Sequence, residues 1–165
     1  MAKTTMKNTP KVLGLDVSTK TIGWALFDIQ TQELLELTHI SPVPKPKIDN
    51  KILELLEKAK VFRTKLMNYQ NLGITKVVIE EPLLNSNNIY TISTLMRYNT
   101  LITKEIYDVL GIVPEYITTY NSRKYAFPEL VKENEKGKFV LFGGYPKDID
   151  KKMVIWELVS RREPQ

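Results

Sequence analysis

Hydrophobic and polar positions change period several times along this chain, and each change marks an element. Residues 12–17, Val-Leu-Gly-Leu-Asp-Val, are nearly all apolar, the pattern of a strand covered on both faces. The polar turn Ser18-Thr19-Lys20-Thr21 separates them from a second run at 23–28, and a third run follows at 34–40. Connections this short join antiparallel neighbours, so the pattern predicts a three-stranded meander. Pro42, Pro44 and Pro46 then alternate in a stiff connector, since proline fixes φ and donates no hydrogen bond. Apolar residues next take helical spacing, at Ile52, Leu55, Leu56, Ala59, Phe62 and Leu66, with Gly73 as the expected residue just past the helix end. Residues 76–82, Lys-Val-Val-Ile-Glu-Glu-Pro, predict a fourth buried strand that ends in two acids and a proline.

The polar residues 85–88 offer N-caps for a long helix over 89–110, where Ile92, Leu95, Met96, Leu101, Ile102, Ile106 and Leu110 fall largely on one side and Gly111 closes it. A fifth strand is expected at 113–118 and a short helical or turn segment at 121–125, stopped by Phe127-Pro128. Residues 129–146 mix charges with Gly143-Gly144 and predict a mobile excursion, and 149–162 predict a last helix. The sum is an α/β chain: a five-stranded mixed sheet, made of a three-strand antiparallel meander plus two parallel strands, flanked by helices. Residues 11–165 are expected to form one domain behind a flexible basic arm at 1–10.

Composition narrows the chemistry. The chain of 165 residues has no cysteine, which excludes disulfides, thiolate metal sites and cysteine nucleophiles. Its one histidine, His39, cannot build a histidine metal cluster and reads as a surface residue. A metal site would therefore be made of carboxylates, which suit Mg²⁺, Mn²⁺ or Ca²⁺. No apolar run reaches the roughly 18 residues of a membrane span, and the N-terminal residues lack a signal-peptide core, so a cytoplasmic protein is expected. The net charge is +5, but Lys3, Lys7 and Lys11 supply much of it, so charge alone does not select a nucleic-acid partner.

Asp16 is the outlier in this pattern. A carboxylate inside an apolar strand needs a partner, a cation or a turn to cap. Two readings stand: the oxygens accept backbone N–H groups of Ser18 or Thr19, or Asp16 meets a second acid at a site. The topology permits the second, because a crossover through the proline connector and first helix can bring the fourth strand beside the first. Adjacent strand residues face opposite ways, so only one of Glu80 and Glu81 can point with Asp16.

With these pieces placed, the chain resembles the RuvC-type Holliday junction resolvases of the ribonuclease-H-like superfamily. The resemblance lies in Leu13-Gly14-Leu15-Asp16-Val17-Ser18-Thr19-Lys20-Thr21-Ile22-Gly23-Trp24, in Val77-Val78-Ile79-Glu80-Glu81-Pro82 before a long helix, and in the strand at 113–118 followed by Asn121-Ser122-Arg123-Lys124. It implies that Asp16 and Glu80 bind Mg²⁺ or Mn²⁺ and that the reaction is two-metal hydrolysis of phosphodiesters in branched DNA. It also implies a homodimer paired through the helix at 89–110, with no membrane partner and no small-molecule cofactor. Lys20, Arg97, Arg123 and Lys124 are the expected nucleic-acid contacts, with Lys45 and Lys47 as further candidates and Arg97, Tyr90 and Tyr98 as a groove. The family's further acids, at the start of a final helix, have no counterpart here. Asp148 and Asp150 read as helix caps, and the chain is expected to lack its C-terminal helix. Two rivals follow: a non-catalytic nucleic-acid-binding module, and a fragment of an actin-like or sugar-kinase-like ATPase, whose first strand also ends in an acid and a hydroxyl-rich turn.

Overall fold

The computed structural model describes residues 9–82 and 88–163. Most of the expected arm, and all but the last residue of the expected loop at 85–88, lie outside the described residues. The chain divides into two compact units, one ending at Ile117 and one beginning at Thr118.

The first unit is built on a five-stranded sheet. Strands β1 (Lys11–Val17), β2 (Ile22–Asp28) and β3 (Leu34–Ile40) form the meander, and β4 (Ile74–Glu80) and β5 (Glu115–Ile117) run parallel to β1. The strand order is β3-β2-β1-β4-β5, so the crossover through the first helix does place β4 against β1. Helices α1 (Lys51–Met67) and α2 (Ile89–Leu110) pack together on one face. Leu13, Leu15 and Val17 of β1, Ile22, Trp24 and Leu26 of β2, and Val77 and Ile79 of β4 meet Leu55, Ala59, Phe62 and Leu66 of α1 and Ile102 and Ile106 of α2. Trp24 anchors this core, with ring centroids 5.7 Å from Phe62 and 4.8 Å from Tyr69. The side chains that alternate with these buried ones stand on the other face, which carries no helix of this unit. Leu37 there is 62% exposed.

Local signals explain the helix ends. Asn50 caps α1 by accepting from the N–H groups of Ile52 and Leu53, and Asn88 caps α2 by accepting from Tyr90 and Thr91. Gly111 closes α2 with a φ of 69°, the left-handed conformation that glycine adopts without strain. The apolar stripe of α1 is narrower than its sequence implies, since Ile52 and Leu56 are exposed. Gly73 does not end that helix. The helix stops at Met67 with Asn68 as its cap, and Gly73 instead turns the chain into β4 while its carbonyl accepts the Lys11 N–H. In α2 the buried side includes Tyr98, which removes it from the groove expected with Arg97 and Tyr90.

The second unit holds α3 (Thr119–Ala126), a single 3₁₀ turn at Pro128–Leu130, the hairpin β6 (Val131–Glu133) and β7 (Phe139–Leu141), and α4 (Lys151–Arg162). The expected excursion over 129–146 is thus a hairpin with its own small core of Phe127, Leu130 and Phe142, backed by Val154, Leu158 and Val159. Its strands are three residues each, too short for period-two alternation to register among the charges. Asp150 caps α4 by accepting from Lys152 and Met153 N–H, as expected for an acid at a helix N-terminus.

Candidate active site

Register brings Asp16 and Glu80 together. Leu15 of β1 pairs with Ile79 of β4 in the parallel ladder, so the next residues, Asp16 and Glu80, stand side by side at the ends of neighbouring strands. Both alternate with buried residues, Asp16 between Leu15 and Val17 and Glu80 after Ile79, which turns both toward the open face of the sheet. The cap reading of Asp16 gives way here, because the β1–β2 turn is closed by Ser18. Its backbone N–H donates to the Thr21 carbonyl at 3.0 Å, and its Oγ accepts the Thr21 N–H at 3.1 Å.

The electrostatics follow from that placement. Desolvation against the sheet raises the Asp16 carboxyl above the usual carboxylate range, and the negative charge of Glu80 raises it further. A pair of hard oxygen donors that repel one another on an accessible surface suits a divalent cation, which relieves the repulsion. Asp16 and Glu80 are therefore the residues of this unit fit to hold Mg²⁺ or Mn²⁺. Among the described residues no group of three or more carboxylates or imidazoles gathers as a metal cluster.

Around the pair the open face forms a shallow depression of about 320 Å³, whose lining includes Gly14, Gly23, Ala25, Leu37 and Val78 beside the two acids. Glu81 is not part of it. Its N–H donates to the Ile117 carbonyl at 2.8 Å, and it borders a separate hollow on the helix side with Pro82, Met96 and Tyr116. Lys20 stands exposed in the turn directly after β1, at the same end of the sheet as the acids. It lines a basic concavity of about 520 Å³ with Lys47, Lys51 and Lys58, where Glu54 pairs Lys51 at 3.1 Å and Lys58 at 2.8 Å. Lys51 and Lys58 escaped the sequence reading because nothing in helical periodicity says which turn a helix's first residues will meet. Arg97 is exposed on α2, on the covered side of the sheet, and Arg123 and Lys124 belong to α3 of the second unit.

No protein-family model matches the chain, and no curated protein matches it. Solved structures do. Thermus thermophilus RuvC in complex with a Holliday junction substrate aligns with a TM-score of 0.56 at 10% identity, over 69% of this chain and 68% of that one. A second Thermus thermophilus RuvC structure gives 0.51 at 11% identity, over 69% and 67%. The fold is ribonuclease-H-like. The human cytomegalovirus terminase nuclease domain also aligns, with a TM-score of 0.44 at 11% identity over 93% of this chain and 61% of that domain. At 10–11% identity the two RuvC alignments speak for the fold alone, and the roles of individual residues rest on their own geometry. Among the described residues no helix is long and apolar enough to cross a membrane.

Proposed function

We propose that this protein is a divalent-metal-dependent nuclease acting on branched DNA, with Asp16 and Glu80 as its metal-holding carboxylates. The observation that supports it most is their pairing at the ends of β1 and β4, on the open face of a ribonuclease-H-like sheet. A metal ion bound there would polarise a phosphate oxygen and activate water for phosphodiester hydrolysis. The chain's own part is to hold the two carboxylates at fixed spacing on rigid strands and to present Lys20 beside them to the phosphate backbone. Lys20 is the basic candidate adjacent in sequence to the acid-bearing strand; Arg97, Arg123 and Lys124 remain proposed phosphate contacts of α2 and α3. A homodimer would match the two-fold symmetry of a four-way junction.

The test is cleavage of a labelled four-way junction in Mg²⁺ or Mn²⁺, alongside linear duplex of the same sequence. Parent protein is expected to cut the junction, and Asp16→Asn or Glu80→Gln to abolish cutting while sparing binding. If the double variant cuts as well as the parent, the assignment is wrong. A second reading, a module that binds branched DNA without cutting it, is favoured by the absence of a third metal ligand among the described residues. Junction binding without cleavage in either metal would establish it.

A further inference from the structure

The register that pairs the two acids also carries a third polar side chain into their row. His39 of β3 stands opposite Gly23 of β2, Gly23 stands opposite Asp16 of β1, and Glu80 of β4 stands opposite Ile117 of β5. Across the open face the order is therefore His39, Gly23, Asp16, Glu80, Ile117. At about 4.8 Å per strand, the His39 backbone lies roughly 10 Å from that of Asp16, with one residue between them. That residue has no side chain. A Cβ built on Gly23 would meet Asp16 Cβ at 3.4 Å and the Asp16 carbonyl at 3.8 Å and nothing else within 4 Å, so the space above Gly23 is open. His39 shares a face with Leu37 and Leu35 along β3, the face away from the helices, and is exposed. Among the described residues its ring has no hydrogen bond or ion pair.

We infer that His39 is a substrate-contacting residue of the Asp16–Glu80 site, donating a hydrogen bond to the phosphodiester that lies over Gly23. The inference rests on the nuclease reading of the acid pair. An anionic phosphate bound through a cation at the two carboxylates needs a donor on its far side, and imidazole supplies one N–H when neutral and two when charged. Gly23 leaves room for the phosphate between them, and Ala25 and Leu37 give the depression an apolar floor on which a sugar can rest. The single histidine was legible in the sequence. Its place in this row was not, because that depends on two strand registers at once.

One histidine in the chain makes the test direct, since the imidazole ring-proton resonances in an NMR spectrum belong to His39 alone. Mn²⁺ added to the parent is expected to broaden them, and to leave them sharp in the Asp16→Asn/Glu80→Gln variant. Loss of that contrast would strike the acid pair as a metal site. A four-way DNA junction added in Ca²⁺ is then expected to shift the same resonances. His39→Ala is expected to weaken junction binding by about 3- to 10-fold, the scale of one hydrogen bond, with His39→Gln recovering part of it. If the resonances stay in place, or if they shift while His39→Ala binds as tightly as the parent, the contact is overturned and the metal site stands.

Discussion

Asp16 shows what an acid gives up to stand in an apolar strand beside a second acid. Its carboxyl titrates above the usual range, through desolvation first and Glu80 second. An acid whose folded pKa exceeds its unfolded value makes the folded state less stable as pH rises through that interval, and the penalty stays at neutral pH. Asp16→Asn is therefore expected to raise the melting temperature at pH 7 by roughly 1–3 °C, a shift read by calorimetry. If the paired acids hold the cation as proposed, Mn²⁺ should stabilise the parent and not the Asp16→Asn/Glu80→Gln variant. Asp28 shows the opposite sign. The Thr9 hydroxyl donates to it, as do the N–H groups of Thr31 and Gln30, and these bonds hold its carboxyl below the usual range. Its contribution is complete above the ordinary carboxylate range and is lost as pH falls through the lowered folded pKa. Thr9→Val should therefore shift acid unfolding, followed by circular dichroism, to higher pH.

At the scale of elements, the two cores respond to different changes. Tyr98 of α2 is fully buried, and its hydroxyl has no partner among the described residues. Burial alone pushes that phenol well above its normal pKa. Tyr98→Phe removes the unpaired group with little change in shape, so it is expected to leave stability unchanged or raise it by up to about 1 kcal/mol. Phe62→Ala in α1 would instead leave a cavity beside Trp24, at a cost of about 3–5 kcal/mol in denaturant unfolding. In the second unit, Gly143, in the turn just after β7, lies so close against β6 that a Cβ would fall 1.9 Å from the Lys132 carbonyl oxygen. Gly143→Ala must therefore open the β6–β7 hairpin. Amide exchange should speed up at Lys132 and Val140 in the ladder and at Phe142, whose N–H donates to the Leu130 carbonyl, while β1 and β4 keep their protection.

Over the whole molecule, the two tryptophans report on the two units separately. Trp24 is 1% exposed in the first unit and Trp156 is 59% exposed in the second. Acrylamide is expected to quench about half of the fluorescence, and Trp156→Phe to leave only the shielded half. The second unit also carries ten Lys and Arg residues against seven Asp and Glu, with Tyr125 and Phe139 exposed among them.

The sequence by itself determined much of the first unit. Periodicity located its strands and long helices to within a few residues, because each must bury one regular stripe against a single core. The acid in the first strand and the acid after Val78-Ile79 were legible for the same reason, as polar residues breaking an apolar run. Other features needed the folded chain. The hairpin at 131–141 was hidden because its short strands are held by a local core and by the tight Gly143 turn, not by a repeating pattern. Tyr98 turned inward because packing against the sheet, and not its polarity, set its place on α2. Whether Asp16 met Glu80 depended on the parallel register of β1 and β4, a contact between residues 64 positions apart that no local rule fixes. The same lateral order brought His39 into line with them across Gly23.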